Sequence, residues 1–515
     1  MILIVIILLI VIYLYTTRNY NYWAKRNIKY DPPLPVFGNH LQKVFAMKSI
    51  TNVAVELYYK YPKEKVVGYF SGNTPELIIR DPEIVRDILS VDFEYFYRRG
   101  LGRDEKKEPL LRNIFHADGD AWKLVRQRLT PAFTTAKLKG MFPLIVKCAE
   151  KLNGLGEDIV AKGGECDARD LMARFTTEFI GACGLGIEMD TITTENSFFR
   201  NLGKKMFSRS RKEIFIHAIW ELFPEIRSML YIFNPKLEKL LIDIITQVFE
   251  KRNYKPSGRN DFVDLLLDLA AKGKIEGESI EERHPNGTPK HVEMEMDLLC
   301  MVAQVFVFFG AGFETSSSST SYTLHELAFN PDIQENIQNE IDRVLAKYDN
   351  KLCYDAVAEM TLLDMAFKES LRMFPPLGTL HRVCAKRYTI SQIGVTIDPG
   401  VRIIIPLQAI QNDPQYFENP DKFMPERFSA EEESIRRNYV YMPFGEGPRA
   451  CIGARLGHMQ SLAGLAALLH RFSVEPSSKT QRKPPVDPRL NVIQSVINGI
   501  PLKLKLRKEK HIFSE

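Results

Sequence analysis

The most informative stretch of the chain is residues 444–453, whose spacing is F-x-x-G-x-R-x-C-x-G. Its cysteine, Cys451, stands just before an apolar helical pattern over residues 454–469. A helix N-terminus stabilises a thiolate, and surrounding backbone amides can donate hydrogen bonds to the sulfur. Five fixed residue types at this spacing would arise by chance with a probability on the order of 10⁻⁴ at average residue usage, so we interpret Cys451 as a metal-binding thiolate.

The residues around Cys451 indicate which ligand it serves. Gly447 and Gly453 remove side chains where the backbone would have to approach a flat macrocycle, and Arg449 can reach a carboxylate on the edge of that macrocycle. A lone cysteine is more often a small buried hydrophobic residue, but that reading explains neither the glycines nor the arginine. The ligand implied is heme, with Cys451 bound to its iron.

With this loop, the chain resembles the cytochrome P450 family in its microsomal style, and the resemblance runs from end to end. It implies a mainly α fold with a minor β-sheet (α+β), in which heme b (iron protoporphyrin IX) lies between a long central helix and the cysteine-ligand loop. Further motifs follow in the family's order.

One of these motifs is Ala-Gly-Phe-Glu-Thr-Ser over residues 311–316, inside a long helical pattern. Gly310 and Gly312 should each weaken that helix by about 1 kcal/mol relative to alanine, so they need a reason. The resemblance implies a local distortion over the heme with room for dioxygen, and it gives Glu314 and Thr315 catalytic roles in a proton relay. The alternatives are a threonine hydroxyl bonded back to its own helix and a paired or solvated glutamate.

Two motifs concern the support of the heme. Glu369 and Arg372 share one helix face after a capping-box start at Thr361 and Asp364, and the resemblance implies that Arg427 completes a Glu-Arg-Arg network behind the heme. The proposed cofactor-binding residues for the heme propionates come from several parts of the chain. They are Trp122 and Arg126, one helical turn apart, together with Arg449 and, as a weaker candidate that is more often a packing residue, His381.

The remaining pattern is mostly helical with few strands. Helices are predicted over residues 138–155, 237–249 and 297–327, and strands over residues 66–70, 76–80, 387–390, 395–397 and 401–405. Residues 271–290 are polar and contain Pro285-Asn286-Gly287, which predicts a surface loop.

Composition bounds the class of protein. The 515 residues are 45% hydrophobic and 26% charged, which excludes disorder, collagen and a polytopic membrane protein. There are 69 Lys and Arg against 64 Asp and Glu, and a net charge of +5 is too small to argue for a nucleic-acid partner. Seven cysteines without a CxxC pair fit a reducing compartment.

The N-terminus predicts a membrane attachment. Residues 1–17 are almost entirely apolar and could form a single anchor, while Arg18 and Lys25 follow on the side expected to face the cytoplasm. A cleaved signal peptide is the alternative. Residues 18–40 are basic and Pro-rich, so we expect either a rigid hinge or an ordinary linker, and residues 41–515 would be the heme-thiolate catalytic domain. The microsomal resemblance places the chain in the endoplasmic reticulum membrane with this domain on the cytoplasmic side.

The resemblance also implies the reaction and its partners. Thiolate ligation favours O–O cleavage, so we expect monooxygenation. The chain has no G-x-G-x-x-G after a strand and no ferredoxin-type cysteine run, so electrons must come from another protein. The family's partner is an NADPH-cytochrome reductase, with cytochrome b5 as a second electron donor. Basic residues that could receive an acidic partner are Lys123, Arg128, Lys137, Lys139 and Arg455, although scattered basic residues are more often a solvated face.

The substrate is the least determined element. The resemblance places substrate contacts in residues 97–115, 206–219, 377–380 and 492–497 and before Glu314, all largely apolar. Such a pocket binds hydrophobic small molecules with modest discrimination. The sequence is similar in style to insect detoxification members of the family, so we expect xenobiotics such as plant toxins or insecticides. The alternatives are an endogenous steroid or lipid hydroxylase, a reductase-independent heme-thiolate isomerase or dehydratase, and a noncatalytic heme protein.

Overall fold

The computed structural model describes residues 2–101, 106–194, 197–207, 211–223, 231, 234–259, 261–489 and 493–507. Helices dominate these residues and the strands form small sheets, which confirms the predicted mainly α fold with a minor β component. The helices are α1 Ile2–Thr17, α2 Leu41–Val44, α3 Ile50–Lys60, α4 Pro82–Arg86, α5 Gly119–Leu129, α6 Thr135–Ala161, α7 Ala168–Ile180, α8 Phe198–Phe207, α9 Arg211–Leu222, α10 Pro235–Lys251, α11 Phe262–Ala270, α12 Leu298–Phe329, α13 Pro331–Lys347, α14 Tyr354–Ala358, α15 Thr361–Met373, α16 Leu407–Ile410, α17 Ala430–Ile435 and α18 Ala454–Arg471.

The strands pair across long sequence distances. They are β1 Val66–Ser71, β2 Thr74–Ile79, β3 Glu165–Asp167, β4 Ile275–Arg283, β5 Pro289–Met294, β6 Leu380–Val383, β7 Tyr388–Ile390, β8 Val395–Ile397, β9 Arg402–Ile405, β10 Phe472–Pro476 and β11 Pro501–Leu506. The largest sheet has the order β1-β2-β9-β6, in which β2 and β9 run parallel with Leu77 opposite Ile403. A second sheet joins β10, β11 and β3. The predicted strands near residues 66, 76, 388, 395 and 402 are confirmed.

Helix α12 forms the centre of the helical core. The Asp297 side chain caps its first turn by accepting the Cys300 N–H at 2.7 Å, and most of the helix is buried against α7, α10, α15 and α18. Among the described residues it is the one helix long and apolar enough to cross a membrane. Its burial inside the protein identifies it as a core helix, as the apolar pattern over residues 297–327 predicts.

Helix α1 is different, because its apolar side chains from Ile2 to Leu14 are exposed. The segment that follows it does not extend freely but packs on the large sheet. Trp23 is fully buried and its Nε1 donates to the Tyr69 carbonyl at 3.1 Å, and the Tyr20 hydroxyl donates to the Leu34 carbonyl at 2.6 Å. The predicted hinge over residues 18–40 is therefore fixed against β1.

Two local predictions are wrong. Residues 271–290 do not form an irregular loop, because most of them lie in an antiparallel hairpin of β4 and β5, and the Pro-Asn-Gly signal marks its turn. The predicted capping box of α15 is also absent, since the Thr361 side chain makes no capping hydrogen bond within the described chain. Glu340 of α13 does this instead by accepting the N–H groups of Leu362 and Leu363 at 2.9 and 3.1 Å.

Candidate active site

The loop that ends at Cys451 is held by its own backbone. The Cys451 N–H donates to the Phe444 carbonyl at 2.8 Å, and Gly445 and Gly447 both adopt left-handed conformations, with φ of +71° and +74°. The Gly453 N–H donates to the sulfur, which favours the thiolate, but burial outweighs this and raises the pKa of the Cys451 thiol. Protein atoms around the thiol raise its pKa, yet Cys451 keeps accessible surface, whereas Cys148, Cys183, Cys300 and Cys384 are buried.

The two glycines that the sequence analysis assigned to macrocycle contact differ in their reasons. A Cβ on Gly447 would lie 1.9 Å from the Leu89 carbonyl oxygen, so both its φ and its contact with Leu89 require glycine. Gly453 has φ of −92°, and a Cβ there would meet Phe133 at 3.9 Å, an ordinary contact. Gly447 therefore serves the packing of the loop on the neighbouring segment.

The predicted Glu-Arg-Arg network is present behind the loop. Arg372 donates through Nε and Nη2 to the two carboxylate oxygens of Glu369 at 2.7 and 3.0 Å, and both side chains are fully buried. Arg427 Nε reaches Glu369 Oε1 at 3.3 Å. The buried charges are thus paired bidentately, as their removal from water requires.

Gln411 connects this hydrogen-bonded network to the cysteine loop. Its Nε2 donates to the carbonyls of Leu371 and Arg372, and its Oε1 accepts the Met442 N–H at 2.9 Å, two residues before Phe444. Arg372 Nη1 in turn donates to the Gln411 carbonyl at 2.9 Å. This glutamine has no motif of its own, so the sequence analysis missed it.

Several arginines lie close to the residues that precede Cys451. Arg449 is buried, its Nη2 donates to Asp118 Oδ1 at 2.9 Å, and its guanidinium lies 4.2 Å from the centre of the Trp122 ring. Arg126 Nη1 and Arg99 Nη2 donate to the carbonyls of Ala450 and Arg449, at 2.9 and 3.0 Å. Three parts of the chain therefore meet at the residues just before Cys451.

Burial and mutual repulsion act on these cations. Burial, with the like charge of Arg99, lowers the pKa of Arg449 to about 8. Burial likewise lowers the pKa of Arg382 to about 9 and that of Arg99 to about 10, and it lowers the pKa of Arg126. The carboxylate that attracts Arg449, Arg382 and Arg99 is Asp118, so the cluster has an excess of positive charge.

The cluster also has unused donors. Arg449 Nε and Nη1 and Arg382 Nε are buried without a hydrogen-bond partner among the described residues. Unsatisfied buried donors are costly, and an anionic ligand with two carboxylates would satisfy both the donors and the charge. The two propionates of a heme would fit this requirement, and Cys451 is the residue that could bind its iron.

The structure brings together most, but not all, of the predicted propionate partners. Arg449 contacts Asp118 and the Trp122 ring, and Arg126 donates to the carbonyl of Ala450, the residue next to Arg449. His381 Nε2 lies 2.9 Å from Thr379 Oγ1, on the face of β6 opposite to Arg382. Arg99, Arg382 and Asp118 were missed by the sequence analysis, and the only signal for Arg382 was its place next to His381.

One face of helix α12 carries a stripe of accessible residues. Val307, Ala311 and Thr315 are spaced four residues apart, so they share one face, and all three are more accessible than the buried majority of the helix. The Thr315 hydroxyl donates to the Ala311 carbonyl at 2.7 Å, the back-bonded alternative. The predicted local distortion is absent, because α12 is continuous through these residues, and Gly312 instead makes room for the Ile180 side chain.

The Glu314 side chain does not belong to this accessible stripe. It is 4% exposed and forms an ion pair with Arg169 of α7, whose side chain is 23% exposed. Helix α18 packs on α12 one residue beyond Thr315, where Gln460 Nε2 donates to Ser316 Oγ at 2.5 Å. Because α18 begins three residues after Cys451, this contact links the helix that follows the cysteine loop to the helix that carries the accessible stripe.

The comparisons with known proteins agree with this arrangement. The family model described as cytochrome P450 matches residues 29–504. The chain belongs to the cytochrome P450 family. This cytochrome P450 is 36% identical over 498 residues to "Cytochrome P450 6B2" of Helicoverpa armigera, with 96% of each chain covered. It is 35% identical over 514 residues to "Cytochrome P450 6a2" of Drosophila melanogaster, with 98% of each covered.

Membership of the family defines the cofactor and the class of reaction. As a cytochrome P450, the protein is a heme-dependent monooxygenase. When bound through a thiolate, heme supplies the cleavage of O–O bonds and the oxidation of unactivated C–H bonds. Cys451 is the candidate thiolate, and the arginines around Arg449 and the accessible stripe of α12 are the candidate surroundings of the heme.

Proposed function

We propose that this cytochrome P450 oxidises hydrophobic foreign compounds, such as plant toxins or insecticides, with electrons that originate from NADPH and arrive through a flavoprotein reductase. Cys451 is the proposed iron ligand, and Trp122, Arg126, Arg449 and the weaker candidate His381 are proposed propionate partners. The observation that carries the proposal is the accessible Cys451 sulfur next to a cationic cluster with unused buried donors. A thiolate beside a site for two carboxylates is what a heme-thiolate enzyme needs.

The first experiment is a carbon monoxide difference spectrum of the dithionite-reduced protein. We expect a red-shifted Soret band in the natural protein and its loss in Cys451→Ala. Cys384→Ala is the matched control, because that cysteine is buried in the second apolar core around the large sheet. An unshifted band in folded, heme-loaded natural protein would contradict thiolate ligation and remove the basis of the monooxygenase assignment to this site.

Thr315 is the proposed residue for proton delivery at the accessible stripe. Its hydroxyl lies on the accessible stripe and donates to the Ala311 carbonyl, whereas Glu314 is ion-paired with Arg169, so proton transfer by Glu314 requires that pair to open. We expect Thr315→Ala to consume NADPH with less product, and Thr315→Ser to retain coupling. Unchanged coupling in Thr315→Ala would overturn the role of Thr315, whereas turnover of a preformed peroxide without NADPH, unaffected by Thr315→Ala, would favour an isomerase or dehydratase.

The preference for hydrophobic xenobiotics is supported by the apolar stripe on α12 and by the insect relatives. The structure describes parts of the predicted substrate segments only, since residues 102–105, 208–210 and 492 lie outside the described residues. A panel of furanocoumarins, pyrethroids, steroids and fatty acids, screened for a low-spin to high-spin shift, separates the alternatives. Shifts confined to steroids or fatty acids would favour an endogenous substrate.

We also propose that α1 holds the protein in the endoplasmic reticulum membrane with the catalytic domain in the cytoplasm, with cytochrome b5 as a further electron donor. The exposed apolar face of α1 and the basic residues that follow it support this orientation. Deletion of residues 2–17 should move the protein from the membrane pellet to the supernatant. Product formation in vesicles should require added reductase, and turnover with NADPH alone would contradict the proposed electron route.

A further inference from the structure

The hairpin of β4 and β5 lies against the helix that carries Trp122 and Arg126. Its ladder is regular from Ile275 to Glu278 and then shifts register, so residues 279–282 bulge out of the pairing. Gly277 packs against Leu124 of α5, and Ile280 packs onto the small apolar cluster that contains Trp122. The bulge therefore packs against the first turns of α5.

The bulge and the start of α5 exchange hydrogen bonds in both directions. The Ser279 hydroxyl and the Ile280 N–H both donate to the Asp120 carboxylate at 2.6 Å. The Asp120 N–H in turn donates to the Glu281 carboxylate. This is the reciprocal pattern of a capping box, except that one of its two sides comes from a hairpin about 160 residues further along the chain.

This arrangement explains an unusual feature of α5. Asp118 occupies the position where a carboxylate normally caps the helix, yet it makes no capping hydrogen bond within the described chain. Its oxygens accept the N–H groups of Arg99 and Gly100 at 2.8 and 3.1 Å, and Oδ1 also accepts from Arg449. Glu281 therefore takes the place at the helix terminus that Asp118 has left.

The backbone is shaped for this exchange. Gly119, the first residue of α5, has φ of +61°, and a Cβ there would lie 2.1 Å from Glu281 Oε2. Glu281 Oε1 also accepts from the Tyr97 hydroxyl at 2.9 Å and from Arg98 Nη2 at 2.8 Å. One carboxylate thus holds both α5 and the segment that leads into Arg99.

We infer that the hairpin is a clamp in which Ser279 and Glu281 position the arginine cluster, by capping α5 so that Asp118 is free to orient Arg449 and Arg99. Ser279 and Glu281 are positioning residues, since neither contacts Arg449. The inference rests on the proposed role of the cluster in binding the heme propionates. It predicts that loss of the clamp loosens heme without removing a heme contact.

The experiment measures heme transfer from the purified holoenzyme to excess apomyoglobin. Glu281→Gln keeps the shape but removes the charge, and Ser279→Ala removes the second contact. We expect each to lose heme on the order of fivefold faster than the natural protein, the size of effect associated with loss of a helix cap. The matched control is Glu282→Gln on the same bulge, whose side chain is 62% exposed and pairs with Lys290, and it should behave like the natural protein.

A double variant distinguishes positioning from general destabilisation. If the clamp acts through Asp118 and Arg449, Glu281→Gln should add little to the heme loss of Arg449→Gln, whereas independent effects would multiply and overturn the inference. Equal rates for Glu281→Gln and Glu282→Gln would overturn it as well. If Arg449→Gln itself retains heme like the natural protein, the proposed propionate site fails, and that outcome is separate from failure of the clamp alone.

Discussion

Glu314 of α12 is ion-paired with Arg169 of α7, so the carboxylate next to Thr315 is bound to a guanidinium at rest. The same helix thus carries an accessible hydroxyl and a buried carboxylate that faces away from it. This pairing stabilises the contact between α7 and α12, and it also restrains the group to which the family resemblance assigns proton transfer.

Arg169→Met should therefore destabilise the protein. It leaves the Glu314 carboxylate buried without its cation, which we expect to cost about 2 kcal/mol, below the range for fully buried pairs because Arg169 is partly exposed. Urea unfolding measures this, and Arg169→Lys should recover most of the loss. The pair is energetically irrelevant if Arg169→Met and the double variant Arg169→Met with Glu314→Gln unfold at the midpoint of the natural protein.

Glu369→Gln should destabilise the protein by about 3–5 kcal/mol, because Arg372 would remain fully buried without its charge partner. We expect the expressed variant to contain little heme, since Gln411 links this network to Met442 of the cysteine loop. Arg427→Lys is the control, because Arg427 makes a longer contact at 3.3 Å and is partly exposed. Heme content per folded protein and the urea midpoint measure both changes, and similar losses in the two variants would contradict the assigned hierarchy.

Gly447→Ala and Gly453→Ala form a matched pair within one loop. Gly447→Ala forces a side chain into a left-handed conformation and against the Leu89 carbonyl, which should cost about 3 kcal/mol. Gly453→Ala meets ordinary contacts and should be nearly neutral. Thermal unfolding of the holoenzymes compares them. A more severe effect at Gly453 would show that contact with the heme, rather than loop packing, determines the glycine pattern.

The pH dependence of heme binding should differ between the natural protein and Arg449→Gln above about pH 8. Burial and the like charge of Arg99 lower the pKa of Arg449 to about 8, and binding of the anionic propionates would raise it, so binding takes up a proton at Arg449 above pH 8. Burial raises the pKa of the Cys451 thiol, so iron binding by the thiolate releases a proton in the same range and opposes this effect. Between about pH 8 and 9, heme affinity should therefore rise with pH more steeply in Arg449→Gln than in the natural protein, by up to about tenfold per pH unit. Soret titrations of both apoproteins measure this, and parallel profiles would contradict the charge coupling.

The sequence by itself determined the elements whose cause is local. The spacing around Cys451, the strand-like segments of β1 and β2 and the helical period of α12 depend on neighbouring residues, so they could be predicted without a structure. The pairing of Glu369 with Arg372 is of the same kind, because residues three apart on a helix share a face. Its third member, Arg427, came from the family resemblance.

Only the tertiary structure decided which distant side chains share a charge or a hydrogen bond. Arg99, Arg382 and Asp118 have ordinary sequence surroundings, and they become a site only when β6, α5 and the cysteine loop meet. The cap of α15 by Glu340 replaces the predicted local capping box, and the cap of α5 by Glu281 and the pair of Glu314 with Arg169 also use partners from elsewhere in the chain. Burial makes an unpaired charge or donor costly whatever the separation along the chain, and a linear pattern cannot show which groups become buried together.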